Sequence, residues 1–111
     1  MDEIKNHWEE AGVISVDAGL CWVGDPCYII HTDKVPKEFG RDWSETCDAL
    51  DKKGLNNKDA LAVQFNHDMG HSGLGVAVST GWGDGQYPVF VRRDPQTGRC
   101  AAVMVEFIPR N

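Results

Sequence analysis

Residues 74–108 read LGVAVSTGWGDGQYPVFVRRDPQTGRCAAVMVEFI, and this stretch decides the fold class. It contains three strand-like runs, Leu74–Ser79, Tyr87–Arg92 and Cys100–Ile108, which are separated by turns rich in glycine, aspartate and proline. Apolar runs of this length joined by short turns are typical of antiparallel strands that follow one another in sequence. The stretch therefore predicts an antiparallel meander of three strands.

Further strand-like runs lie upstream of this stretch. Val13–Val16 and Leu20–Val23 flank the compact connection Asp17-Ala18-Gly19, and this arrangement predicts a hairpin. Shorter strands are predicted at residues 27–31, which follow a turn, and at Ala60–Phe65.

Two segments have helical spacing. The clearer helix begins at Asp42, with Glu45 three residues later as in a capping box, and Gly54 offers a left-handed C-terminal stop. Its predicted apolar face carries Trp43, Cys47 and Leu50. A second, short helix is predicted over residues 2–11, where apolar residues recur at helical spacing.

Together these elements predict an α+β fold with a mainly antiparallel β-sheet and one packed α-helix. A chain of 111 residues is long enough for one domain with a modest core, so residues 1–111 are predicted to form a single domain. Much of the buried face of the sheet, or its near neighbours, is expected to come from Val76, Val78, Val89, Val103, Val105 and Phe107.

Charge and composition exclude several classes of function. The net charge of −6 argues against sequence-independent binding of a nucleic-acid polymer, which needs a basic face. No apolar run approaches the roughly 18 residues of a membrane span, and the N-terminus has no secretory pattern. A cytoplasmic location is therefore expected, with the four cysteines as reduced thiols in or near the core.

The pattern G-D-x-x-Y occurs twice, at Gly24–Tyr28 and at Gly83–Tyr87. Each copy predicts a tight turn whose tyrosine enters a strand, because glycine and aspartate both favour turns. If the two turns are equivalent, Asp25 and Asp84 are expected at the same end of the sheet. The pair of aspartates is then interpreted either as an acid–base or metal-binding pair, or as two residues that each cap their own turn.

Residues Gly81–Gly85 form a glycine-rich loop that is the strongest candidate for a binding site. Alternating glycines expose backbone N–H groups that can bind an anion, and Trp82 would offer a stacking surface. The alternative is a long turn that folds Trp82 over the core. Neighbouring strand residues point to opposite faces, so at most one of Arg92 and Arg93 faces a site near Tyr87. The predicted ligand-binding residues are Asp25, Tyr28, Trp82, Gly83, Asp84, Gly85, Tyr87 and Arg92.

His67 and His71 are four residues apart, which on a helix would place both imidazoles on one face to bind zinc. Gly70 and Gly73 make a helix unfavourable here, and the glutamate of a zinc-protease motif is lacking. The histidines are interpreted either as part of a solvated loop or as metal ligands.

Several of these strings occur together in a recognisable order: Val16–Gly19, Gly24–Tyr28, Gly75–Gly81 and Gly83–Val89. In this order they resemble a group of small uncharacterised phage and bacterial proteins similar to domain of unknown function 4241. The resemblance covers about residues 13–31 and 74–108. It supports the predicted fold and implies no reaction. A phage setting would imply an accessory protein that acts on host physiology, for example by sequestering a host signalling nucleotide.

The predicted function is binding of a small anionic or nucleotide-like ligand, with a counter-defence role if the protein is phage-derived. Binding is favoured over catalysis because no nucleophile–base pair or set of metal ligands is evident in the sequence, and no catalytic residue or cofactor is assigned. One alternative is a metal-assisted hydrolase of a phosphorylated small molecule, with Asp25, Asp84 and His67 or His71 as ligands. Another is a structural protein that forms a homodimer through its edge strands.

Overall fold

The structure is a computed structural model, and it describes residues 7–30, 38–55 and 60–109. Within these residues the elements are β1 (Trp8–Val16), β2 (Leu20–Gly24), α1 (Cys27–Ile30), α2 (Trp43–Lys52), β3 (Ala62–Asn66), β4 (Ser72–Ser79), β5 (Gly85–Arg93) and β6 (Cys100–Val105). All the strand pairs are antiparallel. The predicted α+β class with mainly antiparallel sheet is therefore confirmed.

The strands form two three-stranded sheets, in the orders β1-β5-β6 and β2-β4-β3. Backbone contacts divide the chain into two compact units, and each sheet belongs to one of them. The first unit consists of the residues up to Gly19 and from Thr80 onward, and the second consists of Leu20–Ser79. The single domain over residues 1–111 stays a prediction.

Two predicted strand pairings are wrong. The expected meander does not form, because β4 pairs with β2 and β3, whereas β5 pairs with β1 and β6. The expected β1–β2 hairpin does not form either, since these two strands lie in different sheets. A turn sequence shows where the chain changes direction, but the partner of a strand depends on which neighbour matches its backbone groups and its buried face.

The core of the second unit lies between helix α2 and one face of sheet β2-β4-β3. Its buried members are Leu50, Leu55, Val63, Phe65, Leu74 and Ala77. Burial alternates along β3, where Val63 and Phe65 are buried and their neighbours are not. This is the period expected of a strand with one covered face.

Trp22 lies across this core and leaves no room for a side chain beneath its ring. Its ring makes edge contacts with Phe39 and Phe65, at centroid distances of 5.1 and 5.6 Å. It covers Gly24 and Gly75, which face each other in the β2–β4 ladder, and a Cβ at either position would clash with the indole. Both glycines are therefore required by the large ring above them.

Helix α2 begins as predicted and buries a different face. The Asp42 carboxylate accepts a hydrogen bond from the Glu45 backbone N–H at 2.9 Å, which is a standard N-cap, and Gly54 adopts a φ of 92° just beyond the helix. Leu50 is buried as expected, whereas Trp43 is 57% exposed. The buried position one turn before Leu50 is taken by Thr46, whose hydroxyl donates to the Phe39 carbonyl at 2.6 Å.

The predicted face of the sheet is correct only in part. Val103 is 58% exposed, whereas Val89, Val105 and Phe107 are half-buried. Val76 and Val78 are also half-buried, and the buried residue between them in β4 is Ala77. Leu74 and Ala77 are both buried in β4, so burial there does not simply alternate, and a run with little polar content does not reveal which positions the core covers.

The predicted N-terminal helix is wrong over Trp8–Ala11, which lie in β1 opposite β5. Residues 2–6 lie outside the described residues. Pairing with β5 overrides the helical spacing, since strand formation depends on the partner more than on local pattern. Among the cysteines, Cys21 and Cys47 are half-buried, but Cys27 and Cys100 are exposed, and all four are free thiols. Within the described residues, no helix is long and apolar enough to cross a membrane.

Candidate functional site

The first G-D-x-x-Y copy begins a helix, and the strand predicted at residues 27–31 is wrong over Cys27–Ile30, which form α1. The Asp25 carboxylate accepts a hydrogen bond from the Cys27 backbone N–H at 3.0 Å, and Pro26 precedes the helix. Aspartate followed by proline is a common helix start, because the carboxylate caps free N–H groups and proline needs no partner there. This local signal was present in the sequence. His31 lies outside the described residues.

The same hydrogen bonds change the acidity of two groups. The Cys27 backbone N–H and then its thiol donate to Asp25, and they lower the pKa of that carboxyl. In return, the hydrogen bond to Asp25 raises the pKa of the Cys27 thiol. Asp25 is therefore an ionised cap of its own helix, and Cys27 is kept in the thiol form, which is a poor nucleophile and a poor metal ligand.

The second copy forms a closed loop in the first unit. The Gly83 N–H donates to the Thr80 carbonyl at 2.6 Å. The Gly83 carbonyl accepts two hydroxyl groups, those of Thr80 at 2.8 Å and Tyr87 at 2.7 Å. Tyr87 is buried, and its ring packs edge-on against Phe107 at 5.2 Å. Tyr87 therefore holds the loop in place through its hydroxyl and its ring.

Trp82 is at the tip of this loop and is 67% exposed, so the alternative in which it folds over the core is wrong. Gly81, before it, is covered by the Ile108 side chain, and Gly83, after it, has a φ of 85° that favours glycine. The Asp84 carboxylate has no hydrogen-bond or ion-pair partner in the part of the chain that the structure describes. The loop thus presents an aromatic ring and a carboxylate to solvent.

Arg92 does not join this loop. It lies seven residues along β5 from Gly85, a span of about 23 Å for an extended strand. Its guanidinium lies 6.0 Å from the ring centroid of Trp8. The neighbouring Arg93 forms an ion pair with Glu9 at 2.6 Å, and that hydrogen bond raises its pKa. Both arginines are therefore engaged at the opposite end of the strand.

The two G-D-x-x-Y copies are not structural equivalents. Asp25 caps a helix, and its Tyr28 is in that helix, whereas Asp84 precedes a strand that carries Tyr87. The two copies belong to different units, so their predicted proximity and the hydrolase alternative built on it stay predictions.

The structure does bring the first copy together with the histidine pair inside the second unit. The Tyr28 ring makes an edge contact with His67 at 5.1 Å, and His67 stacks on His71 at 4.6 Å with an interplanar angle of 20°. His67 and His71 flank a tight turn in which the Gly70 N–H donates to the His67 carbonyl at 2.8 Å. No group of three or more metal-ligating side chains is found among residues 7–30, 38–55 and 60–109.

Sequence reasoning missed a charged cleft beside helix α2. The cleft has a volume of about 470 Å³ and is lined by Glu38, Gly40, Glu45, Asp48, Ala49, Lys52 and Lys53. Glu38 forms an ion pair with Lys53 and accepts the Asn66 backbone N–H at 2.7 Å. Burial opposes ionisation of Glu38, but these bonds outweigh it and lower the pKa of the carboxyl. The lining residues all lie between Glu38 and Lys53, and the helical spacing of Glu45, Asp48 and Lys52 along α2 is the sequence signal that could have found the cleft.

Comparison with known proteins places the chain in a family. The model of a family of proteins of unknown function, DUF4241, matches residues 5–105. The chain belongs to the DUF4241 family. The match includes the middle segment with helix α2 and the histidine pair, which the motif resemblance did not cover. No curated protein and no solved structure matches the chain.

Both G-D-x-x-Y copies lie inside the part of the chain that matches the DUF4241 model. The family description gives no activity, so a function for this DUF4241 protein has to be argued from its own side chains.

Proposed function

We propose that this protein binds a small molecule at the loop Gly81–Gly85, with a flat ring of the ligand stacked on Trp82. The observation that carries the proposal is the exposure of Trp82 at the tip of a loop closed by defined hydrogen bonds. Two hydroxyl groups fix the Gly83 carbonyl, so the ring is presented from a preorganised backbone. A preorganised loop loses little conformational freedom when a ligand binds.

The ligand we infer is nucleotide-like rather than a bare anion. The Asp84 carboxylate beside Trp82 can accept hydrogen bonds from the N–H edge of a base or from ribose hydroxyls. The same negative charge disfavours a ligand that is only an anion, and Arg92 lies too far along β5 to offset it. A phosphate attached to the nucleoside would be bound by N–H groups of the loop other than that of Gly83, which donates to the Thr80 carbonyl.

The biological role that we propose is sequestration of a nucleotide signal in the cytoplasm. A phage origin and a counter-defence role rest on the motif resemblance. Binding without turnover is favoured because the hydroxyl groups of Tyr87 and Thr80 donate to the Gly83 carbonyl and are therefore not free to act on a ligand.

The proposal is tested by titrating guanosine monophosphate, adenosine monophosphate, a cyclic dinucleotide and inorganic phosphate into the protein in a calorimeter. Stacking on an aromatic side chain contributes about 1–3 kcal/mol per base, so Trp82→Ala should weaken nucleotide binding by about 5- to 150-fold. Asp84→Asn should also weaken it. Trp43→Ala is the matched control, because Trp43 is exposed in the second unit.

Two results would contradict the proposal. One is the lack of binding to any of these nucleotides together with the absence of a co-purifying nucleotide in mass spectra of protein from cells. The other is nucleotide binding with equal affinity in wild type and Trp82→Ala.

A further inference from the structure

The hairpin between β3 and β4 places two imidazole rings side by side. His67 and His71 are joined by a backbone hydrogen bond from the His67 N–H to the His71 carbonyl at 2.9 Å, so they face each other across the turn. Side chains at directly opposed strand positions lie on the same face of the ladder. The near-parallel rings, with centroids 4.6 Å apart, agree with this placement.

We propose that His67 and His71 form a two-histidine binding site for a divalent transition-metal ion of the zinc, cobalt or nickel type. Neutral imidazole is a preferred ligand of these ions. This site is in the second unit and is independent of the nucleotide site proposed above.

The ring nitrogens of the two histidines are available to a ligand. Neither imidazole has a hydrogen-bond partner for its ring nitrogens in the part of the chain that the structure describes. Two ligand nitrogens at 2.0–2.1 Å from a tetrahedral ion are about 3.4 Å apart. Stacked rings with an interplanar angle of 20° hold their nitrogens in separate planes, so one ring must turn about its side-chain bonds before both nitrogens point at one ion.

The two histidines have different freedom to move. His67 is half-buried, and its ring is held by an edge contact with the Tyr28 ring at a centroid distance of 5.1 Å. His71 is exposed, so it is the ring that rotates to complete the chelate. The Gly70 φ of 90° fixes the turn that brings them together.

The protein supplies two ligands, and water fills the other coordination positions. No third histidine, cysteine or acidic ligand completes the cluster among the described residues. Cys27 is in the neighbouring helix α1, but its hydrogen bond to Asp25 raises the thiol pKa, and a protonated thiol is a poor ligand. We therefore expect nitrogen and oxygen ligation without a thiolate.

The test uses the full chain after treatment with a chelator, titrated with zinc chloride in a calorimeter and with cobalt chloride in an absorption spectrometer. We expect one equivalent of zinc and a cobalt spectrum without a thiolate charge-transfer band. Because a chelate gains its affinity from the second, intramolecular contact, His71→Ala and His67→Ala should each weaken zinc binding at least about tenfold. His7→Ala is the matched control, since His7 is exposed in the first unit, and it should leave zinc binding unchanged.

Because His67→Ala also removes the ring contact with Tyr28, circular dichroism must show that this variant is folded. If it is not, the test rests on His71→Ala, whose exposed side chain can be removed without disturbing the core. Zinc binding that is absent in wild type, or that is unchanged in His71→Ala, would overturn the proposal. A cobalt–thiolate band would also overturn it, because it would place the ion on a cysteine.

Discussion

Gly75→Ala is predicted to destabilise the second unit because of one side chain, Trp22. A Cβ at position 75 would lie 2.6 Å from Cη2 and 2.8 Å from Cε2 of the indole. The ring cannot easily withdraw, since Phe39 and Phe65 contact it at 5.1 and 5.6 Å. One of the two groups must therefore shift within a packed core.

The expected magnitude is a balance of two opposing effects. Replacing a glycine inside a strand by alanine gains about 0.5–1 kcal/mol of backbone entropy. Forcing an extra carbon into a packed core costs about 1–3 kcal/mol, and a pinned ring puts the cost at the upper end. The net expectation for Gly75→Ala is a decrease of about 2 kcal/mol in the free energy of unfolding.

Gly12→Ala is the matched control. Gly12 is also in a strand, β1, but nothing lies within 4 Å of its Cβ position and its φ is not in the left-handed region. The entropy gain is then unopposed, so Gly12→Ala should leave stability unchanged or raise it by up to about 1 kcal/mol.

The assay is urea unfolding followed by backbone circular dichroism, with hydrogen exchange of the β4 amides as the readout specific to the second unit. Trp22→Leu removes the ring, so the cost of Gly75→Ala should largely disappear in that background. A double-mutant cycle should give a coupling of about 1–3 kcal/mol. Equal stability of Gly75→Ala and Gly12→Ala, or the same loss with and without Trp22, would refute the argument.

Three further predictions concern hydrogen bonds and charge. Tyr87→Phe removes the hydroxyl that donates to Gly83 and should lower stability by about 1 kcal/mol in urea unfolding, with Trp82 becoming more mobile in fluorescence anisotropy. Asp42→Ala removes the cap of α2 and should cost about 1 kcal/mol, whereas Asp42→Asn should restore most of it. The pKa of Glu38 is lowered by its partners, so its stabilising contribution is present at neutral pH and is lost as the pH falls through the folded-state pKa. Glu38→Gln should therefore be about 1 kcal/mol less stable than wild type near pH 7, and the difference should shrink as the pH falls below 4.5 in unfolding titrations.

Some features of the candidate site could be predicted from the sequence. The others depended on how the strands and turns place side chains relative to each other. Exposed Trp82 between two glycines marked the loop, and this candidate is retained. Arg92 follows Tyr87 closely in sequence, which suggests a shared site, but the extended strand β5 carries Arg92 away from the loop. The spacing of His67 and His71 suits zinc binding on a helix, which the neighbouring glycines disfavour, and a hairpin turn brings the two rings together instead.

The sequence by itself determined the features that depend on local interactions. Helix α2 begins at the Asp42 cap and ends before Gly54, and both signals act within one turn of the chain. The positions of β2, β3, β4, β5 and β6 followed from apolar runs and turn residues, although the start of β1 did not, and the two G-D-x-x-Y strings pointed to the DUF4241 family. These inferences required no knowledge of distant contacts.

Only the tertiary structure decided which strands pair and which side chains are covered. β4 and β5 are separated by a short loop, yet they join different sheets. Trp43 and Val103 are apolar but face solvent, whereas the polar Thr46 is buried. Strand pairing and burial are set by residues far away in the chain, because backbone hydrogen bonds and apolar surfaces can be satisfied by any partner of matching shape, and local sequence does not say which partner is present.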